Sequence, residues 1–378
     1  MHTLTAAADI TPADPHNPFG NPTEEPGYSP DYRAIVPELG MAGCKLPLIP
    51  SLPEKAAIRR FVSLNCLILL FAFLLSASIA TALQLAVRVV TELIDRQNAG
   101  ELPQNYLKIL AQYMQDSSIM TAINLISFFI GNLVAFRVGC LLTRMKTKDF
   151  FRTHGVTLPR LLLYMMTGLW IQLGASYLGK FLVPFLTKAG IPLAEQGISL
   201  NGSMMKLAVL AIYTCAVAPI TEELLLRGVI LKNACRVSQR FGILITAFIF
   251  GLMHENLQQF LFTFPLGILL GYITVRHNSL YPAMLVHITV NTANLLMLCG
   301  TEMLPKETFR TVMMIYTLTI LLIGTVSVLY LFMTQRLPDN MPHQSIRSAR
   351  IAFTSPLLWV LIIVHIGMGV YQSIMVRG

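Results

Sequence analysis

Charge is scarce in this sequence. Asp, Glu, Lys and Arg make up 12% of 378 residues, where a soluble domain carries about 25%. Twenty-eight basic and nineteen acidic side chains cannot cover a water-facing surface of this size. That excludes a cytosolic globular enzyme, and the hydrophobic share of 54% excludes a disordered or collagen-like chain. Cysteine is also sparse: the six, at 44, 66, 140, 215, 235 and 299, include no CxxC pair, which argues against a disulfide framework or a thiolate metal site. The period-2 alternation of a membrane β-barrel is missing too. A polytopic membrane protein fits what remains.

What is present is a series of long apolar runs: roughly 61–87, 117–136, 161–185, 204–235, 241–256, 257–275, 279–299, 311–334 and 352–376. Most reach the ~20 residues a helix needs to cross a bilayer core. In lipid every backbone polar group must be satisfied within the protein, so these runs are read as helices. The fold class expected is an all-α polytopic membrane protein, a bundle of about 8–9 transmembrane helices around an internal polar cavity. The run 241–256 is short for a span. Tyr106, Ile109, Leu110 and Tyr113 share one helical face and suggest a helix over 101–116 lying on the membrane surface.

Four regions follow. Residues 1–58 hold ten of the 21 prolines and read as a disordered cytoplasmic tail. No signal peptide is expected, since the first apolar run starts near Phe61 and is too long for one. Residues 59–200 carry N-terminal membrane helices, 204–300 a polar-bearing core, and 308–378 C-terminal membrane helices. With the N-terminus inside and nine spans, loops on the inner side hold seventeen Lys and Arg and those on the outer side nine. This bias predicts a cytoplasmic N-terminus. It also accounts for the net charge of +9 without a nucleic-acid partner. The expected setting is a multi-pass plasma membrane, and the absence of a retention signal at Gly378 points to a bacterial one.

Ionisable groups inside spans are costly and tend to be functional. The acidic residues within the apolar runs are Glu222, Glu223 and Glu255, and the histidines are His254, His287 and His365. Measured along straight helices from the nearest inner arginine, Glu222, His254 and Asn291 lie about 21–22 Å deep and His287 about 16 Å. Three helices thus bring polar groups to a similar level. Glu223 and Arg227 stand at i, i+4 in the order that favours a helical ion pair; Glu222 points about 100° away and is free for another task. Pro219 is expected to kink the helix and loosen its backbone. Alone, Phe250-xxx-His254 reads as core packing and His287-xxx-Asn291 as helix-to-helix glue. His254-Glu255 begins like a zincin helix, but Gln258 breaks the HExxH pattern. His365 reads as structural and Glu255 as a helix end near water. Gly267 and Gly271 form a small-xxx-small pattern for close packing.

The ordered set Glu222-Glu223-xxx-Arg227, Phe250-xxx-His254 and His287-xxx-Asn291 resembles the CAAX prenyl protease and bacteriocin-processing family of intramembrane proteases (CPBP, also called Abi). The resemblance covers roughly residues 204–300. It implies that Glu222 activates a water together with His254, that Glu223 and Arg227 hold the site in shape, that His287 and Asn291 stabilise the oxyanion, and that Phe250 packs. It implies a membrane-associated peptide or protein as substrate. Amide hydrolysis needs a base and oxyanion donors, which these residue types supply. Glu222, His254 and His287 are also a donor set for Zn²⁺ with one position open to water. The family is commonly labelled metalloprotease, yet the same residues suit a metal-free glutamate protease, and both stay open. So do two other functions: a transporter or proton-coupled permease, because intramembrane carboxylates and histidines build proton relays, and a non-catalytic immunity protein that binds a peptide.

Overall fold

In hydrocarbon a chain of apolar runs has one economical solution, the helix, and the computed structural model of this protein is built of helices. It describes residues 52–99, 118–151, 156–188, 204–236, 239–334 and 349–375. The proline-rich segment before residue 52 and the surface helix expected over 101–116 lie outside them.

Among the described residues nine apolar helices follow one another. They are α1 (Leu52–Ala99), α2 (Ser118–Thr143), α3 (Leu158–Lys188), α4 (Met204–Ile212 continuing to Leu231–Cys235), α5 (Gln239–Leu252), α6 (Leu257–His277), α7 (Tyr281–Met303), α8 (Lys306–Thr319 continuing to Thr325–Thr334) and α9 (Pro356–Met375). Seven are long and apolar enough to span a bilayer, whereas α5 and α9 are shorter. The protein is therefore an all-α polytopic membrane protein, as its composition required. Large apolar side chains stay on the outside, such as Phe332 at 85% and Leu141 at 78% exposure. In water such surface would drive association; in lipid it is solvated.

α1 begins at Leu52, inside the stretch assigned to the tail. Proline at position 53 is no obstacle there, since the N–H groups of the first helical turn have no intrahelical acceptor. α5 ends at Leu252, before the expected limit of 256, because Glu255 takes a left-handed φ of 53° and Asn256 caps the next helix, accepting from Gln258 N and Gln259 N.

The interior has two main apolar clusters. One joins α1, α2, α4, α5 and α9 through residues such as Ile68, Phe136, Leu226, Phe250 and Leu361. The other joins α3, α6, α7 and α8 through Leu169, Leu270, Val286 and Leu331. Close packing of α5 on α6 depends on glycine, as the sequence pattern suggested. A Cβ on Gly267 would stand 3.0 Å from Ala247 Cα, and one on Gly271 3.3 Å from Ile243 Cγ2. After α2 a short 3₁₀ turn, Thr147–Phe150, tucks Phe150 into the core, and its carbonyl accepts from Leu280 N at 2.9 Å, which pins the start of α7. The polar residues of α4 and α7 face each other near Phe250, a member of the first cluster.

Candidate active site

α4 is not a uniform helix. It runs α over Met204–Ile212, widens to a π-turn at Tyr213–Val217, returns to α for Ala218–Glu222 and widens again over Glu223–Ile230. Pro219 explains the first widening. In the π-turn the N–H of Ala218 bonds five residues back, to Tyr213 O. The next N–H in that register would serve Thr214 O, but residue 219 is proline and has none. The orphaned carbonyl receives Nδ2 of Asn291 from α7, at 2.9 Å. The loosening expected from Pro219 thus takes the form of π-turns, which often occur at functional sites.

Glu223 and Arg227 are both fully buried. Arg227 Nη1 lies 3.0 Å from Glu223 Oε1, the ion pair expected at i, i+4. The guanidinium also stacks over the ring of Phe250, 4.4 Å from its centroid, and Nη2 donates to Gly267 O at 3.5 Å. Phe250 is therefore more than filler: its π-face supplies favourable electrostatics to a buried cation. Paired with Glu223 and stacked on Phe250, the arginine ties α4 to α5 and α6.

His287 of α7 closes the arrangement. Its Nδ1 sits 3.0 Å from Glu223 Oε1. A carboxylate accepts, so Nδ1–H donates, and Nε2 is the nitrogen turned toward Glu222, 3.8 Å from Oε2. Glu223 is gripped from two sides, by Arg227 and by His287. Glu222 is the more open of the two carboxylates, with its side chain 24% exposed against 0% for Glu223. The ring of Phe250 stands edge-on to both histidines, 4.9 Å from His254 and 5.6 Å from His287. His254 Nδ1 donates to the carbonyl of Phe250 at 2.8 Å, which leaves Nε2 as its lone-pair nitrogen when the ring is neutral.

The structure thus brings Glu222, Glu223, Arg227, Phe250 and His287 into one constellation. His254 joins it across the Phe250 ring, whose centroid lies 4.9 Å from its own. Asn291 is turned to α4, where one amide N–H holds Thr214 O. Among the described residues no three His, Cys, Asp or Glu side chains are grouped to hold a metal ion. Sequence reasoning missed the Thr214 carbonyl, although Pro219 was its signal. It also missed Glu255, which does not end a helix in water: its carboxylate is 11% exposed and bonds His365 Nδ1 at 3.1 Å.

Residues 204–293 match the family model described as Type II CAAX prenyl endopeptidase Rce1-like. The likeness to that family is confined to this segment. It spans 90 of the 378 residues and contains all seven motif positions from Glu222 to Asn291. The Rce1-like segment runs from α4 into α7, the helices that carry the constellation, and agrees with the resemblance drawn from the motifs. The match supports a membrane peptidase. No curated protein and no solved structure matches the chain.

Proposed function

We propose that the protein is an intramembrane endopeptidase that hydrolyses a peptide bond of a membrane-associated protein or peptide. The observation that carries the reading is the approach of Glu222 to His287 Nε2, beside a fully buried Glu223–Arg227 pair, in a Rce1-like segment. At 3.8 Å the two groups are too far apart for a hydrogen bond; a water taken up beside them can bond both.

In this mechanism the carboxylate of Glu222 accepts a proton from that water, helped by Nε2 of His254, as the water oxygen attacks the scissile carbonyl carbon. A carboxylate sheltered from bulk water is a better base than a solvated one. The developing oxyanion is met by the second amide N–H of Asn291 and by His287 Nε2 when it carries a proton. The proton held by Glu222 then passes to the leaving amine as the C–N bond breaks, so the carboxylate is regenerated. Glu223 and Arg227 touch no reacting atom. They fix the His287 ring by its Nδ1–H and hold three helices in register. The mechanism routes no step through a metal. The orientation we infer has the N-terminus in the cytoplasm, on the distribution of Lys and Arg.

The test is cleavage of a membrane-associated peptide by purified protein in liposomes, alongside a comparison of membrane proteomes from cells carrying wild type and Glu222→Ala. Wild type should cut, Glu222→Ala and His254→Ala should not, and an uncut precursor should accumulate with the variant. Full cleavage by both variants defeats the reading. Flux of a small solute that depends on Glu222, with no cleavage, would establish a transporter in its place.

A further inference from the structure

Two histidine–carboxylate hydrogen bonds occur among the described residues, and the mechanism above uses one of them, His287 to Glu223. The other joins Glu255 to His365 of α9, Nδ1 to Oε1, 3.1 Å. Glu255 directly follows His254.

The turn that carries both is tightly specified. His254 N bonds Gly251 O at 3.3 Å and Glu255 N bonds Leu252 O at 3.0 Å, the tightened end of α5. Glu255 then takes a φ of 53°, a region that strains residues other than glycine and that helix ends normally fill with Gly or Asn. Asn256 caps α6 at once. A glutamate tolerated in that conformation places a carboxylate where it can be gripped from outside the turn, and strained residues that persist mark functional sites.

α9 grips it at two points one helical turn apart. His365 holds the carboxylate, with the edge of Phe73 from α1 packed on its ring at 5.4 Å. Gly369 lies against the backbone: a Cβ there would stand 2.3 Å from Glu255 O. α9 lies outside the Rce1-like match, so neither the motifs nor the family assigns it a role.

We propose that His365 and Gly369 form a latch on the Glu255 turn that sets the position of the His254 ring, which makes His365 a positioning residue for peptide hydrolysis. The proposal rests on the endopeptidase reading. The latch works by geometry: Glu255 is the residue next to His254, so its carboxylate and carbonyl, once fixed by α9, leave the histidine backbone no freedom to rotate away from Phe250.

Wild type, His365→Phe, His365→Asn and Gly369→Ala are purified and compared for peptide cleavage, thermal unfolding and the imidazole NMR resonances of His254 in labelled protein. His365→Phe should lower kcat about 10- to 100-fold with KM within about twofold, and shift the His254 resonances. His365→Asn keeps a donor near the position of Nδ1 and should recover most of kcat. Gly369→Ala should behave like His365→Phe by a different atom, and it decides the matter with His365→Asn if His365→Phe does not fold. Unchanged kcat in His365→Phe or Gly369→Ala overturns the latch, as does an equal loss in the Phe and Asn variants with His254 resonances unmoved. Absence of cleavage by wild type refutes the endopeptidase reading instead, and the His254 resonances then test the latch alone.

Discussion

Asn291 Nδ2 donates to the backbone carbonyl of Thr214, 77 residues earlier, because Pro219 has no N–H to give that carbonyl. A proline in α4 and an asparagine in α7 are thus two halves of one interaction. Asn291→Ala should destabilise the protein by about 1 kcal/mol, the typical net worth of one hydrogen bond, since this acceptor is part-buried. Pro219→Ala restores an N–H in the register that Thr214 lacks. The double variant should therefore lose less than the sum of the single losses, and a double-mutant cycle on thermal unfolding in detergent measures the coupling. Strict additivity would separate the two residues.

The two adjacent glutamates should fail in different ways. Glu222→Gln should fold with wild-type stability and lose at least about 100-fold in kcat, as removal of a general base typically does. Glu223→Gln should lose stability first, by about 3–5 kcal/mol, because it strands the Arg227 charge in the interior. Unfolding curves and single-turnover cleavage on the same preparations distinguish the two. Matching losses of stability in both variants would contradict the division of roles.

Phe250 offers a test of the cation stack. Phe250→Leu keeps an apolar side chain but removes the ring under Arg227, 4.4 Å away. The expected cost is about 2 kcal/mol, the scale of a desolvated cation–π contact, and Phe250→Tyr should retain most of the stability. Equal stability of the Leu and Tyr variants would assign Phe250 to packing alone.

Gly267→Ala should also be costly, by about 1–3 kcal/mol of overpacking, since its Cβ would meet Ala247 Cα at 3.0 Å. The same change displaces the carbonyl that accepts from Arg227 Nη2. Gly174→Ala, where a Cβ meets nothing within 4 Å, is the control and should be neutral in thermal unfolding.

Chelation separates the two chemistries that the donor set allows. Cleavage by protein dialysed against a strong chelator should continue at the wild-type rate, with less than one zinc per chain by elemental analysis. Loss of activity that Zn²⁺ restores, in step with one bound metal that Glu222→Ala and His254→Ala fail to hold, would replace the metal-free mechanism.

The helical membrane bundle was legible in the sequence because lipid leaves so few options: apolar runs of sufficient length must be helices, and their ends fall where charge returns. The Glu223–Arg227 pair was legible for a local reason, since i, i+4 is one turn on a single helix. The common depth of Glu222 and His287 followed from counting residues along two helices. The motifs at Glu222, His254, His287 and Asn291 pointed to the segment that the family match also covers. What α4 presents to α7 was not legible, because the π-register that a proline imposes depends on which partner rescues the carbonyl it abandons. Nor was the pairing of Glu255 with His365, since a helix end in water and one against another helix look alike in sequence. Local spacing determined which residues are polar within the membrane and which of them pair along one helix. The rotation of α7 against α4 and the docking of α9 on the His254 turn were decided by tertiary packing, because contacts between residues far apart in the chain exist only once the helices have met.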